Sequence, residues 1–164
     1  TTSTTAQLVM GDCLAVCLLE SKGFEARDFA KYHPGGALGK RLYLTAGDLC
    51  KKNEKPQVDA NANLKDIIIS ITSGRLGMTT VIENGMIVGI ITDGDIRRIL
   101  QKNELTLSAK DYASKHAKQI DANELAVKAL EIIRAHNISQ IIVTQNNTYY
   151  GVLHIHNIID EGII

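Results

Sequence analysis

Gln57-Val58-Asp59-Ala60-Asn61 recurs as Gln119-Ile120-Asp121-Ala122-Asn123, 62 positions downstream. A repeat of that period, followed each time by the same elements, signals two copies of one supersecondary unit. After each copy comes a run with apolar residues at helical spacing, Leu64 to Ser73 and Leu125 to Ala135. Short β-rich runs follow, Thr79-Thr80-Val81-Ile82 and Gln140-Ile141-Ile142-Val143. Each leads into a turn, at Glu83-Asn84-Gly85 and at Gln145-Asn146-Asn147-Thr148. A second strand then begins near Gly89-Ile90-Ile91-Thr92 and near Gly151-Val152-Leu153-His154, and Gly89 and Gly151 keep the offset of 62. Helices open at Asp95 to Leu100 and at Asn157 to Ile159. Each unit therefore reads β-α-β-β-α.

Upstream of the repeat the pattern changes. Thr1, Thr2, Ser3, Thr4 and Thr5 supply hydroxyls suited to capping a helix. The run Ala6 to Glu20 is apolar on most of its circumference, which predicts a helix buried inside something. Gly23 is placed to end it, and a second helix over Ala26 to Tyr32 is expected to stop before Pro34. Cys13 and Cys17 lie four apart, so one helix face is expected to bury both as small hydrophobes. With Cys50 they make an odd number, a poor disulfide framework, and a reduced cytosolic chain is expected.

Composition limits the partners. The 164 residues carry 18 acidic and 18 basic side chains, so no net charge draws the chain to nucleic acid or an anionic membrane. No stretch is read as approaching a membrane span. An apolar fraction of 45% excludes disorder, and with two Phe and no Trp the core must be aliphatic. Residue 1 is Thr rather than Met, which points to processing or to a piece of a longer protein.

The polar residues that invite chemistry sit at the strand-to-helix junctions. Thr92 and Asp95 are three apart, where a hydroxyl and free backbone N–H groups can face a phosphate. Asp95 suits ribose hydroxyls and doubles as a helix cap. His154 and Asn157 stand at the corresponding positions of the second unit, so the two halves are not expected to be equivalent sites. His154 and His156, two apart on a strand, lack a third ligand in register, and no metal site is assigned.

The repeat, the Gly-Ile-Ile-Thr-Asp-Gly-Asp stretch from Gly89 to Asp95 and the following Arg97-Arg98 resemble a tandem pair of cystathionine-β-synthase (CBS) motifs. The resemblance implies two units packed sheet to sheet, because one alone cannot bury its apolar face. It also implies a cleft between them for adenosyl or other nucleotides. The base would slot near Val58 or Ile120, with Leu76 to Thr80, including Met78 and Thr79, as a wall. Thr1 to Asp12 and Tyr32-His33-Pro34-Gly35-Gly36-Ala37-Leu38-Gly39 look like the end of a sugar isomerase (SIS) domain. The whole arrangement is similar to the D-arabinose-5-phosphate isomerases of Gram-negative bacteria, which make the precursor of the lipopolysaccharide or capsule sugar Kdo. Lys40 stands where that family commonly has Arg.

The fold class this implies is α/β: a CBS pair, motifs at 46–105 and 106–164, preceded by an SIS remnant at 1–45. His33 matches the family's catalytic histidine, whose titration near neutral pH suits the proton transfers of aldose–ketose isomerisation. The sugar phosphate would be held by upstream residues, and no cofactor serves catalysis, so this chain alone is expected to be inactive as an isomerase. Its regulatory ligand would be CMP-Kdo or an adenine nucleotide. The resemblance further implies a cytoplasmic homo-oligomer, a dimer of CBS pairs within a tetramer. The competing reading is a purely structural oligomerisation module. Without the sheet that would cover Ala6 to Glu20, residues 1 to 44 are expected to rearrange, to dimerise through that helix or to be poorly ordered.

Overall fold

The computed structural model describes residues 1–32, 35–102 and 105–163. Its first unit is Thr1–Tyr43 and its second Leu44–Ile164. In the first, α1 spans Thr2–Ser21, starting inside the hydroxyl-rich run because Thr1 serves as the N-cap and exchanges capping bonds with Thr4. Gly23, at φ +58°, follows its end. Helices α2 (Ala26–Tyr32) and α3 (Ala37–Tyr43) pack on each other.

Two expectations fail at α1. Cys13 and Cys17 are both exposed, because α1 is apolar all round and buries no residue. The helix also has the 20 residues and mean hydropathy of 1.3 that a membrane span requires, contrary to the sequence reading. Core helices of soluble proteins and signal sequences share that property.

The second unit holds both repeats. It runs α4 (Ala46–Cys50), β1 (Gln57–Asp59), α5 (Leu64–Gly74), β2 (Met78–Glu83), β3 (Met86–Thr92) and α6 (Asp93–Lys102). The same order returns as α7 (Ala109–Tyr112), β4 (Gln119–Asp121), α8 (Ala126–Ala135), β5 (Gln140–Gln145), β6 (Thr148–His154) and α9 (Ile155–Asp160). In each sheet the first strand is parallel to the second, across the helix, and the second is antiparallel to the third, across a hairpin.

The repeat extends to its irregularities. A register shift follows Val81 in one sheet and Val143 in the other. Asn84-Gly85 and Asn146-Asn147 all have positive φ, the backbone that two-residue hairpins require. Arg75 and Asn137 are left-handed at equivalent helix ends.

The short helices α4 and α7, which the β-α-β-β-α reading omitted, cross over. Helix α4 opens the first motif but packs on the second: Ala46, Leu49 and Cys50 join Ile120, Leu130, Leu153 and Ile158 in one core. Backbone bonds fix it there, from Ala46 N–H to the Glu124 carbonyl (2.8 Å) and from Gly47 N–H to that of Ala122 (2.9 Å). Helix α7 opens the second motif but packs on the first, where Ala109 joins Ile67, Val81 and Ile91. A third cluster, with Leu76, Met78, Ile142, Tyr149 and Val152, lies between the sheets. There Tyr149 donates to the Pro56 carbonyl at 2.8 Å, and Gln140 Nε2 to that of Leu76 at 2.9 Å. The motifs thus meet sheet to sheet and exchange helices.

Candidate functional site

The exchange of helices brings the strand-to-helix junction of each motif opposite the segment that leads into the other. Two clefts result. The first, of about 630 Å³, is lined by Thr92, Asp93 and Gly94 and by Ser114, His116 and Lys118. Gly77, Met78 and Ile90 join the lining from the first motif, and Ser139, Gln140 and Ile142 from the second. A cavity of this size accommodates a mononucleotide-sized ligand.

Thr92 caps α6. Its backbone N–H and its hydroxyl both donate to Asp95 Oδ2, at 2.9 and 2.6 Å, and the Asp95 N–H returns a bond to Thr92 Oγ1 at 3.3 Å. Arg98 holds the other carboxylate oxygen at 2.5 Å. Burial opposes ionisation of Asp95, but the bonds from Thr92 and then Arg98 outweigh it and hold the carboxyl below its ordinary range. The Thr92 proton is therefore committed, which leaves its oxygen, at the lining of the cleft, the acceptor role that suits a ribose hydroxyl. Lys118 brings a cation to the lining of the cleft, which also holds the His116 ring and the Asp93 carboxylate.

Gly77 fits this wall for a physical reason. Its φ is +67°, and a Cβ there would stand 3.2 Å from Gln140 Nε2 and 3.4 Å from Asp93 Oδ2.

The second cleft, of about 480 Å³, is lined by Lys52, Asn53 and Glu54, by Arg75 and Leu76, and by His154, His156 and Asn157. His154 caps α9 through Nδ1, which accepts the His156 N–H at 3.1 Å. The two rings stack with centroids 4.8 Å apart, although His156 lies in α9 and not on the strand. Burial, then the neighbouring His156, push the His154 imidazole below its ordinary value. Asn157 accepts from His154 N–H at 2.9 Å and is paired with Asn53 of the other motif. Among the described residues no group of three His, Cys, Asp or Glu stands close enough to hold a metal.

Of the residues singled out in the sequence, Met78 and Thr92 line the first cleft, and His154 and Asn157 the second. Asp95 reaches the first through Thr92. Four others stand elsewhere. Val58 lines a groove beside α5. Ile120 belongs to the second motif's core. Thr79 is fully buried and shares a hydrogen bond with Ser70 at 2.8 Å. Gly89 faces Ser114, whose carbonyl oxygen a Cβ would approach to 2.6 Å. Its bareness lets the Ser114 segment bridge to Ile90, which brings that segment into the lining of the cleft. His33 lies outside the described residues. The reading missed His116, Lys118 and Gln140, although the offset of 62 maps Glu54 onto His116 and Met78 onto Gln140.

A family model described as the CBS domain matches residues 46–102 and 109–163. The chain is 39% identical over 168 residues to the arabinose 5-phosphate isomerase KdsD of Escherichia coli K12, covering all of this chain and 51% of that protein. Identity to the KdsD of Yersinia pestis is 40%, with the same coverage. The chain thus spans about half the length of the curated relatives it matches. Among solved structures, a CBS domain protein from Pyrobaculum aerophilum complexed with AMP aligns with a TM-score of 0.62 at 20% identity, over 70% of this chain and 90% of that one. The CBS domain pair of protein MJ0100, in complex with 5′-methylthioadenosine and S-adenosyl-L-methionine, gives 0.61 at 17% identity, over 72% and 94%. These two likenesses are likenesses of fold.

Proposed function

Because the chain belongs to the CBS-domain family, we propose that its first cleft binds a nucleotide and that occupancy regulates an arabinose 5-phosphate isomerase activity. The observation that carries the reading is the first cleft itself. It sets an acceptor hydroxyl, Thr92, apolar walls at Met78, Ile90 and Ile142, and a cation, Lys118, around one cavity. A nucleotide needs all three: an acceptor for ribose, an apolar slot for the base and a positive group for phosphate. The AMP complex of one structural relative and the adenosyl ligands of another support an adenine nucleotide. CMP-Kdo is the competing ligand, as a cytidine nucleotide that would close a feedback loop on the isomerase.

The isomerase part of the proposal rests on the sequence relatives and on the His33 segment. His33 would move protons between C1 and C2 of the sugar phosphate, in a cytoplasmic homo-oligomer. The CBS pair would transmit the state of its cleft to that site.

The experiment is a thermal-shift series with ATP, AMP, CMP and CMP-Kdo at millimolar concentration. One of them should raise the melting temperature. Thr92→Val should weaken the shift, and Asp95→Ala should abolish it by releasing the Thr92 hydroxyl from its fixed rotamer. No shift with any of the four would reject the sensor reading and favour a scaffold.

A further inference from the structure

The two clefts are built from equivalent segments, yet different bonds cross them. In the second, Asn53 Nδ2 donates to Asn157 Oδ1 at 2.9 Å, and Asn157 Nδ2 donates back to Asn53 Oδ1 at 3.1 Å. Asn53 also donates to the Val152 carbonyl at 2.9 Å, and Lys52 pairs with Glu161 at 2.5 Å. The segment leading into β1 is thus tied across the cleft to β6 and α9. In the first cleft the offset of 62 places Lys115 at the position of Asn53 and Asp95 at that of Asn157. Asp95 bonds Thr92 and Arg98 of its own junction.

We propose that each chain takes one nucleotide, in the first cleft, and that the Asn53–Asn157 pair latches the second cleft against a ligand. A primary amide can satisfy another amide reciprocally, one donor and one acceptor each way, which a carboxylate cannot do. Asparagine at 157 is therefore matched to Asn53 rather than to a ribose. Both amides are partly buried, so opening the pair leaves polar atoms without partners unless a ligand replaces every bond. A cavity remains beside the latch, but the polar side chain at its base is spent. The stoichiometry arm of this proposal rests on the nucleotide reading above, whereas the latch does not.

Calorimetric titration of the full chain with AMP tests it. The wild-type chain should bind one AMP, Thr92→Val should weaken that binding at least tenfold, and Asn157→Ala should leave it within about twofold. Asn53→Ala should free the second cleft and raise the count to two, with Asn53→Ser as the milder variant if the first unfolds. Two AMP molecules on the wild-type chain would overturn the proposal, as would a count that stays at one in the opened variants. If AMP does not bind at all, the nucleotide reading is what fails, and the latch is judged on stability alone. In that case the double variant of Asn53→Ala and Asn157→Ala should lose less melting temperature than the two single losses summed, whereas simple additivity would sink the latch.

Discussion

His154 stands where the first motif has Thr92, and the exchange of a hydroxyl for an imidazole makes one cap sensitive to pH. The neutral ring accepts the His156 N–H through Nδ1, so protonation at that atom breaks the cap. Its pKa is depressed from 6.5 by burial and then by His156. The neutral form is favoured in the folded state, so the stabilisation is complete above 6.5 and is lost as pH falls toward the lower folded value. We expect urea unfolding midpoints to drop as pH falls below 6.5, and His154→Gln to flatten that part of the profile. Asp95 has the acid counterpart. Its carboxyl is held low by Thr92 and Arg98 against burial, so its contribution is intact above the ordinary value of 3.8 and fades as pH falls further. Asp95→Asn should remove that acid limb in the same assay.

At the scale of elements, close approach decides which residues are permitted. In β6, a Cβ on Gly151 would stand 2.5 Å from the Cys50 sulfur of α4. Cys50 is buried, and burial pushes its thiol up to about 11, so it acts here as packing rather than as a nucleophile. Gly151→Ala is expected to cost about 1–3 kcal/mol through overpacking. Cys50→Ala in the same chain should recover part of that loss, because the clashing atom is gone. Equilibrium denaturation of the two single variants and the double variant checks this, and a double variant no more stable than Gly151→Ala would exclude the clash as the cause. Hairpins and helix ends obey a similar rule. Asn84, Asn146, Asn147 and Asn137 take the left-handed backbone that asparagine tolerates. Asn84, Asn146 and Asn147 were legible in advance as turn residues, because the chemistry of the turn is local, whereas Asn137 at the end of α8 was not singled out.

The molecule as a whole is defined by the crossed helices. Leu49 is fully buried in α4, in the core of the second motif, although in the chain it belongs to the first. Leu49→Ala should therefore cost about 2–5 kcal/mol. Hydrogen exchange should show the loss first in β4–β6, the sheet it packs on, and not in β1–β3, its neighbours in sequence. Protection lost first in β1–β3 would contradict the crossing. Tyr149 joins the two motifs through its bond to Pro56, and burial raises its hydroxyl to about 12, keeping it a donor at any physiological pH. Tyr149→Phe removes that bond while the Pro56 carbonyl keeps the Thr80 N–H at 3.1 Å, and should lower stability by about 0.5–1.5 kcal/mol, read in the same denaturation assay.

What the sequence determined by itself is what depends on neighbours along the chain. The period of 62 marked two equivalent units, and apolar spacing marked α5 and α8. Turn residues marked the hairpins, and the Thr92–Asp95 spacing marked a junction where a strand hands over to a capped helix. All of these rest on local backbone preference and on repetition, both of which can be read in one dimension. Tertiary structure alone decided the rest. It placed α4 on the second motif and α7 on the first, drew His116, Lys118 and Gln140 into the cleft that Thr92 lines, and turned Ile120 and Thr79 inward. It also left Cys13 and Cys17 exposed, since an all-apolar helix states that it wants a partner but not whether one is present. The Asn53–Asn157 pair joins residues 104 positions apart. Nothing in the spacing of two asparagines distinguishes such a pair from two solvated side chains, because only the packing of one motif on the other removes the water that would otherwise compete for their bonds.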